Sequence, residues 1–210
     1  MIVLGVILAG GGSSRMGGGD KCLRRIGDRR VLDHVCDRLR DQVPRMILSA
    51  NGAAERFADI GLPVVPDGPD AARGPLAGLL AAMDWNEAHG TGATHLASVA
   101  ADTPFFPTDF VERLAAACGA SRTIIALATS DGRTHPVFGL WPVNLRADLV
   151  RWCRENENHS VLGWAERHPL AKVPFPFERM ADGRMRDPFF NLNTPDDLAL
   201  ATSFVAASAR

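Results

Sequence analysis

Short apolar runs alternate with amphipathic segments along the first half of the chain. Continuous runs of Ile, Val, Leu and Ala are typical of strands buried on both faces, whereas apolar residues that recur every three or four positions indicate helices. Regular alternation of the two predicts a mainly parallel sheet with right-handed crossovers. The predicted strands cover residues 2–8, 45–51, 62–65 and 94–102, and the predicted helices cover residues 31–43, 53–58 and 75–89.

The second half of the chain is less regular. Two apolar runs within residues 123–141 flank a Ser-Asp-Gly-Arg turn, and they form either a hairpin or two separated strands, which the pattern leaves open. A short strand is expected at residues 189–193. Amphipathic helices are expected at residues 106–118, 145–153, 160–168 and 194–206. Their expected N-caps include Thr108, Ser160 and Thr194, and Pro195 is expected in the first turn of the last helix.

Length and charge narrow the possibilities further. The 210 residues show no internal repeat and no convincing linker, so we expect residues 1–210 to form one α/β domain. The net charge of −1, with no basic block, predicts no nucleic-acid partner. The first apolar run has no preceding Lys or Arg and soon ends in glycines, so we interpret it as neither a signal peptide nor a membrane span and expect a cytoplasmic location.

The cysteines form no Cys-x-x-Cys motif, and in the cytoplasm we expect them to be reduced thiols. The one beside Lys21 has two interpretations, a reactive thiolate or a packed thiol, and the packed thiol is preferred. The four are Cys22, Cys36, Cys118 and Cys153.

A glycine-rich, cationic loop follows the first strand. Glycines occupy positions 10–12 and 17–19, with Arg15 between them and Lys21 after them. Glycine lets successive backbone N–H groups approach an anion closely, and the cations neutralise it, so this loop predicts phosphate binding. Arg15 stands where the dinucleotide fingerprint needs its last glycine, and Lys21 lacks the flanking residues of a P-loop, so both of those loops are excluded.

The loop LAGGGSSRMGGGDK resembles the signature of the nucleotidyltransferase superfamily, and its Arg-Met-Gly-Gly-x-Asp-Lys form is similar to molybdenum cofactor guanylyltransferases. Four later segments support the resemblance, in order: GPLAGLLAAM, ADTPFF, HPVFGLWP and FFNLNTPDDL. The resemblance implies a three-layer, Rossmann-like nucleotidyltransferase fold with a mainly parallel mixed sheet. It also implies a Mg²⁺-dependent transfer of GMP from GTP to molybdenum-bound molybdopterin, with pyrophosphate as the second product.

Polar residues follow the predicted strands at the edge where α/β proteins bind ligands. Asn51, Asp67 and Asp102 each end a strand or come directly after one, as does the segment from Leu8 to Gly12. Magnesium needs only one or two carboxylates beside phosphate oxygens, so Asp102 is the candidate metal ligand, and a turn aspartate before Pro104 is the alternative. The resemblance implies catalytic roles for Arg15, Lys21 and Asp102, and nucleotide binding by Leu8, Ala9, Gly10, Gly11, Lys21, Asn51, Asp67 and Asp102.

Asn51 and Asp67 are the candidates for recognising guanine, because amide and carboxylate oxygens accept hydrogen bonds from its N1–H and amine. The sequence does not say which one contacts the base, and either alone is also a common turn residue before glycine. In the resemblance, the helix that begins at Gly74 and Pro75 lies near the base.

The acceptor side is predicted less sharply. The resemblance places Asn191 and Asn193 near the acceptor or metal, and His135 is either a contact to the acceptor phosphate or a structural histidine. The expected partners are GTP and molybdopterin, with a monomeric chain in transient contact with other cofactor-biosynthesis proteins. The alternatives are a molybdopterin cytidylyltransferase, a sugar-phosphate nucleotidylyltransferase, which this chain is short for, and a nucleotide-binding regulatory module without catalysis.

Overall fold

The computed structural model describes residues 1–10, 20–68 and 72–208. Seven strands form the main sheet, in the order β5-β4-β1-β6-β8-β7-β9, and two short antiparallel ribbons pair β2 with β3 and β10 with β11. The strands, in chain order, are β1 Val3–Leu8, β2 Arg25–Ile26, β3 Arg29–Arg30, β4 Arg45–Ser49, β5 Val64–Val65, β6 His95–Ala100, β7 Ile125–Ser130, β8 Arg133–Pro142, β9 Leu170–Pro174, β10 Glu178–Arg179 and β11 Met185–Arg186.

The first half of the chain forms the parallel part of the sheet, as predicted. Strand β1 pairs in parallel with β4 on one side and with β6 on the other, and β4 pairs in parallel with β5. The carboxyl ends of these four strands therefore lie at the same edge. That edge is where the sequence predicts the ligand site.

The two apolar runs of residues 123–141 form a hairpin, which settles the choice that the sequence left open. Strand β8 pairs antiparallel with both β7 and β6, so the sheet is mixed. Asp131 and Gly132 join β7 to β8 with φ of 45° and 74°, the backbone of a tight hairpin turn.

The helices agree with the pattern, with small shifts at their ends. Ser160 caps its helix, since its Oγ accepts a hydrogen bond from the Gly163 N–H at 3.1 Å. Thr194 caps the last helix, where its Oγ1 accepts from the Asp197 N–H at 3.1 Å. The α-helices are α1 Val31–Arg40, α2 Pro75–Ala88, α3 Phe110–Cys118, α4 Arg146–Glu155, α5 Val161–Ala165 and α6 Pro195–Ser208, and 3₁₀ turns cover Lys21–Leu23, Ala54–Ile60 and Val143–Leu145.

Two predictions about local structure are wrong. Helix α3 starts at Phe110, one residue later than an N-cap at Thr108 requires, so Asp109 is its N-cap residue and Thr108 is not. Residues 189–193 form no strand, because their backbone bonds to loops instead: the Leu192 N–H donates to the Asp102 carbonyl at 3.1 Å. The edge strand β9 was not predicted.

Each face of the sheet carries its own hydrophobic cluster, which gives three layers. Helices α1 and α3 cover one face, and helices α2, α4 and α5 cover the other. Strand β1 supplies side chains to both clusters in alternation, which explains its unbroken apolar run. This bears out the predicted fold class, whereas the assignment of residues 1–210 to one domain stays a prediction. Within the described part of the chain, every helix is too short or too polar to cross a membrane.

Gly78 brings helix α2 close to the ligand-binding edge of the sheet. A Cβ at this position would lie 2.6 Å from Leu8 Cδ2 and 2.7 Å from Ser49 Oγ. Both contacts are shorter than a carbon side chain tolerates, so only glycine permits this packing.

We expect Gly78→Ala to lower the free energy of unfolding by about 1–3 kcal/mol, because the helix must move away from β1 and β4. Urea denaturation measures the change. Gly68→Ala is the matched control, since a Cβ there would meet no atom within 4 Å, and we expect it to change stability by less than about 0.5 kcal/mol. Equal stability of the two variants would show that the helix accommodates the methyl group.

Candidate active site

A cavity of about 280 Å³ opens at the carboxyl ends of β1 and β6. The backbone that leaves β1 is held there on both sides, because the Ala9 N–H donates to the Ser49 carbonyl at 2.8 Å and the Ala101 N–H donates to the Leu8 carbonyl at 3.0 Å. The described lining residues are Leu8, Ala9, Gly10, Asp20, Lys21, Cys22, Pro75, Ala100, Ala101, Asp102, Val137 and Asn191. Two predicted site residues, Gly11 and Arg15, lie outside the described residues.

Lys21 is held at the cavity by a residue far along the chain. Its Nζ donates a hydrogen bond to Asn193 Oδ1 at 2.9 Å. Asn193 is itself fixed, because its N–H donates to the Asp197 carboxylate at 2.9 Å, at the N-terminus of α6. The predicted cation and one of the two predicted asparagines therefore meet, and the amide aims the ammonium without neutralising its charge.

Asp102 lies at the end of β6 and is half-buried. Burial raises the pKa of its carboxyl group, and the Lys21 cation and a hydrogen bond from Thr103 oppose this rise. A cation beside this carboxyl group would stabilise its ionised form. Among the described residues, no group of three or more His, Cys, Asp or Glu side chains is placed to hold a metal ion. The role of Asp102 as a metal ligand stays a prediction.

Asn51 and Asp67 bond to each other at the ends of β4 and β5. Asn51 Nδ2 donates to Asp67 Oδ2 at 2.6 Å, and the Asp67 N–H donates to Asn51 Oδ1 at 2.9 Å. The two are not among the described residues lining the cavity, and they lie along the same sheet edge. Asn51 uses both of its amide groups in this pair, whereas Asp67 uses one carboxylate oxygen. Asp67 is therefore better placed to accept a further hydrogen bond.

A second cavity, of about 380 Å³, adjoins the first and shares the wall made by Ala100, Val137 and Asn191. Its surface is partly aromatic, with Phe138, Phe189 and Phe190, and partly polar. The remaining described lining residues are Thr103, Arg133, Thr134, His135, Pro136, Asp187 and Asn193. Of the two predicted asparagines, Asn191 lines both cavities, whereas Asn193 lines the second and bonds to Lys21, which lines the first.

His135 is part of a buried polar network in the second cavity. Its Nε2 lies 2.7 Å from Ser130 Oγ, and that hydroxyl donates to Asp187 Oδ1 at 2.9 Å. The ring also packs against Phe189, with 4.5 Å between ring centroids. Burial lowers the pKa of His135, which keeps it neutral at pH 7. These contacts support the structural interpretation, although His135 still faces the cavity.

Cys22 lines the first cavity but is not a reactive thiol. It is 4% exposed, and burial together with the negative Asp20 and Asp102 raises the pKa of its thiol to about 12. The preferred interpretation as a packed thiol is confirmed. All four cysteines are free and buried.

Sequence reasoning did not identify Arg56, which contacts both the residue before Lys21 and the Asn51 loop. No motif marks this arginine, and its partners become visible only when the chain is folded.

Comparison with known proteins identifies close relatives of the chain. Residues 5–170 match the MobA-like NTP transferase domain. A protein from Bradyrhizobium sp. (strain ORS 278) is 48% identical over 99% of this chain and 95% of its own length, and one from Mesorhizobium japonicum is 46% identical over 95% and 94%; both are named molybdenum cofactor guanylyltransferase.

Solved structures share the fold at lower identity. Molybdopterin-guanine dinucleotide biosynthesis protein A from Archaeoglobus fulgidus superposes with a TM-score of 0.71, at 20% identity over 98% of this chain and 99% of that one. A Mycobacterium tuberculosis protein solved in complex with manganese gives a TM-score of 0.65, at 20% identity over 97% and 99%. These two likenesses bear on the fold alone.

Proposed function

The chain belongs to the molybdenum cofactor guanylyltransferases, within the MobA-like NTP transferase family, and we propose that it transfers GMP from GTP to the terminal phosphate of molybdenum-bound molybdopterin. The products are the guanine dinucleotide form of the cofactor and pyrophosphate. The observation that carries this proposal is the convergence of Lys21, Asp102 and the Leu8–Gly10 backbone on one cavity that opens beside a second.

The reaction needs no side-chain nucleophile. The acceptor phosphate is already an anion, and it attacks the α-phosphorus in line while the bond to pyrophosphate breaks. What remains for the protein is to align the two phosphates and to offset negative charge in the transition state. Lys21 neutralises the triphosphate, with its ammonium aimed by Asn193. We assign the same role to Arg15, outside the described residues.

A divalent cation fits beside Asp102. A single half-buried carboxylate at a cavity proposed to receive phosphates suits Mg²⁺, which takes its other ligands from phosphate oxygens and water. When bound, Mg²⁺ would polarise the phosphate oxygens and add positive charge at the reacting phosphorus.

Asp67 is the proposed reader of guanine. Its second carboxylate oxygen is not used in the pair with Asn51, and the two hydrogen bonds of that pair fix its direction. Asn51 then orients Asp67 rather than contacting the base edge itself.

The second cavity is the proposed acceptor site. Its phenylalanine rings suit a flat pterin, and Arg133 offers a positive charge for an anionic group. Asn191, on the wall between the cavities, is placed near the junction where the acceptor phosphate meets the α-phosphate of GTP.

Pyrophosphate release tests the function directly. The purified protein is incubated with Mg²⁺, molybdenum-bound molybdopterin and one of GTP, CTP, ATP or UTP. We expect release with GTP alone, and only with the acceptor present. Equal rates with GTP and CTP would contradict guanylyl transfer, and release with CTP alone would indicate a cytidylyltransferase. Binding of GTP without pyrophosphate release would indicate a regulatory module.

Inosine triphosphate, which lacks the exocyclic amine of guanine, tests Asp67. A buried hydrogen-bond acceptor left unpaired costs about 1–3 kcal/mol, so we expect inosine triphosphate to bind roughly five- to a hundredfold more weakly than GTP. Asp67→Ala should remove most of this difference in a calorimetric titration. Asp84→Ala is the control, since that aspartate pairs with Arg146 on helix α4. An unchanged preference for GTP in Asp67→Ala would assign the reading to the backbone near Gly74.

A further inference from the structure

Arg56 makes contacts that reach two parts of the candidate site. It lies in the 3₁₀ turn Ala54–Ile60, which follows Asn51. Its Nε donates to Asp20 Oδ2 at 2.5 Å, and its two Nη atoms donate to the Asn51 and Ala53 carbonyls, each at 2.5 Å. One guanidinium thus holds Asp20, which precedes Lys21, together with the backbone of the predicted base-recognition residue.

The Arg56 guanidinium packs against a buried aromatic ring. Its guanidinium carbon lies 4.5 Å from the centre of the Phe57 ring, and Phe57 is 1% exposed. The Asn51 loop passes close beside it, because a Cβ on Gly52 would lie 3.2 Å from Arg56 Nη1. Arg56, packed on Phe57, therefore joins the segment at Asp20 to the loop at Asn51.

Fold stability does not explain this arrangement well. Both partners of the Arg56–Asp20 pair are 28% exposed, and solvent weakens an ion pair of that kind. The geometry instead links two segments of the candidate site: Arg56 joins Asp20 to the Asn51 carbonyl, and the Asn51 side chain bonds to Asp67.

We propose that Arg56 is a positioning residue that couples triphosphate binding to guanine recognition. The coupling rests on the proposed function, in which Lys21 binds the triphosphate and Asp67 reads the base. The planar guanidinium presents donors in several fixed directions and holds a carboxylate and two carbonyls at once, whereas the ammonium of lysine is a compact charge without this fixed geometry. With Arg56 in place, the enzyme discriminates guanine best when the triphosphate is bound.

Four nucleotides separate the contribution of the base to binding from that of the β- and γ-phosphates: GTP, inosine triphosphate, GMP and inosine monophosphate. Calorimetric titration in Mg²⁺ gives the preference for guanine over hypoxanthine once with a triphosphate and once with a monophosphate. In the unaltered protein we expect the triphosphate preference to exceed the monophosphate preference about fivefold or more, the lower range of allosteric coupling. In Arg56→Met the two preferences should become equal.

Further variants separate coupling from folding. Asp20→Ala removes the other end of the bridge, so it should remove the coupling as Arg56→Met does, and the double variant should lose nothing more. Arg56→Lys should retain part of it. Arg29→Met is the matched control, since Arg29 pairs with Asp37 at an exposed surface and should leave both preferences unchanged. Melting temperatures within about 4 °C of the unaltered protein verify folding.

The results distinguish this proposal from the function it rests on. If Arg56→Met keeps the larger triphosphate preference, or if the unaltered protein shows equal preferences while still favouring GTP, the coupling is refuted and guanine selection stands. If the unaltered protein prefers neither guanine nucleotide, both the coupling and the proposed base selection are refuted.

Discussion

Asp102→Asn is expected to lower the turnover of GTP by about two orders of magnitude or more. The side chain keeps its size, but it loses the charge that would hold Mg²⁺ at the reacting phosphates, and electrostatic contributions of this kind are worth several kcal/mol. Asp102 faces the cavity from the end of β6, and Lys21 lies near enough to influence its pKa. Pyrophosphate release at saturating GTP and rising Mg²⁺ measures the loss.

The same variant should keep its stability or gain a little. Because burial raises the pKa of Asp102 in the folded chain, ionising this group opposes folding above that pKa, and the penalty disappears below the pKa of the unfolded chain. Asparagine removes the penalty, so any rise in melting temperature should be present at pH 7 and absent in strong acid. Asp109→Asn, at an exposed position, is the activity control. Near-normal turnover of Asp102→Asn at saturating Mg²⁺ would exclude the metal-ligand role.

Lys21→Ala is expected to weaken GTP binding by roughly ten- to a hundredfold. A hydrogen bond to a charged group contributes about 1.5–3 kcal/mol, and this ammonium is already aimed by Asn193 rather than free to search for its ligand. GMP lacks the β- and γ-phosphates, so its binding should change much less. Calorimetric titration of GTP and GMP measures both effects.

Lys172 offers a matched control for that experiment, because the chain has only two lysines. Lys172 is exposed on β9, away from the residues that line either cavity. Lys172→Ala should leave both titrations unchanged. If Lys21→Ala weakens GMP as strongly as GTP, Lys21 does not contact the β- and γ-phosphates.

Local pattern predicted the parallel half of the fold well. Strands such as β1 and β6 are buried on both faces, so their apolar runs are unbroken, and glycine or proline marks their ends. Strand β9 was missed because it is short, lies at the sheet edge with only Val173 buried, and pairs with a strand far away in sequence. The apolar residues of 189–193 predicted a strand. Tertiary contacts decide the path of this segment instead, since the Leu192 N–H bonds to the Asp102 carbonyl.

The candidate site was predictable where position along a strand decides it. The place of Asn51, Asp67 and Asp102 was predictable because the carboxyl ends of parallel strands lie at one edge of the sheet, whereas their roles in binding stay predictions. The asparagines near α6 were reached only through family resemblance, and one of them indeed contacts Lys21. Arg56 carries no local signal, since its importance lies in partners at positions 20 and 51.

The hydrogen bond between Lys21 and Asn193 joins residues 172 positions apart in the sequence, so it can form only late in synthesis of the chain. Lys21 and Asp102, the proposed metal ligand, are translated long before the Asn193 amide that bonds to the lysine. A nascent chain can therefore build most of its sheet while its active site stays incomplete. We therefore expect a fragment that ends before Asn193 to bind GTP more weakly than the 210-residue chain, because its Lys21 would lack this partner.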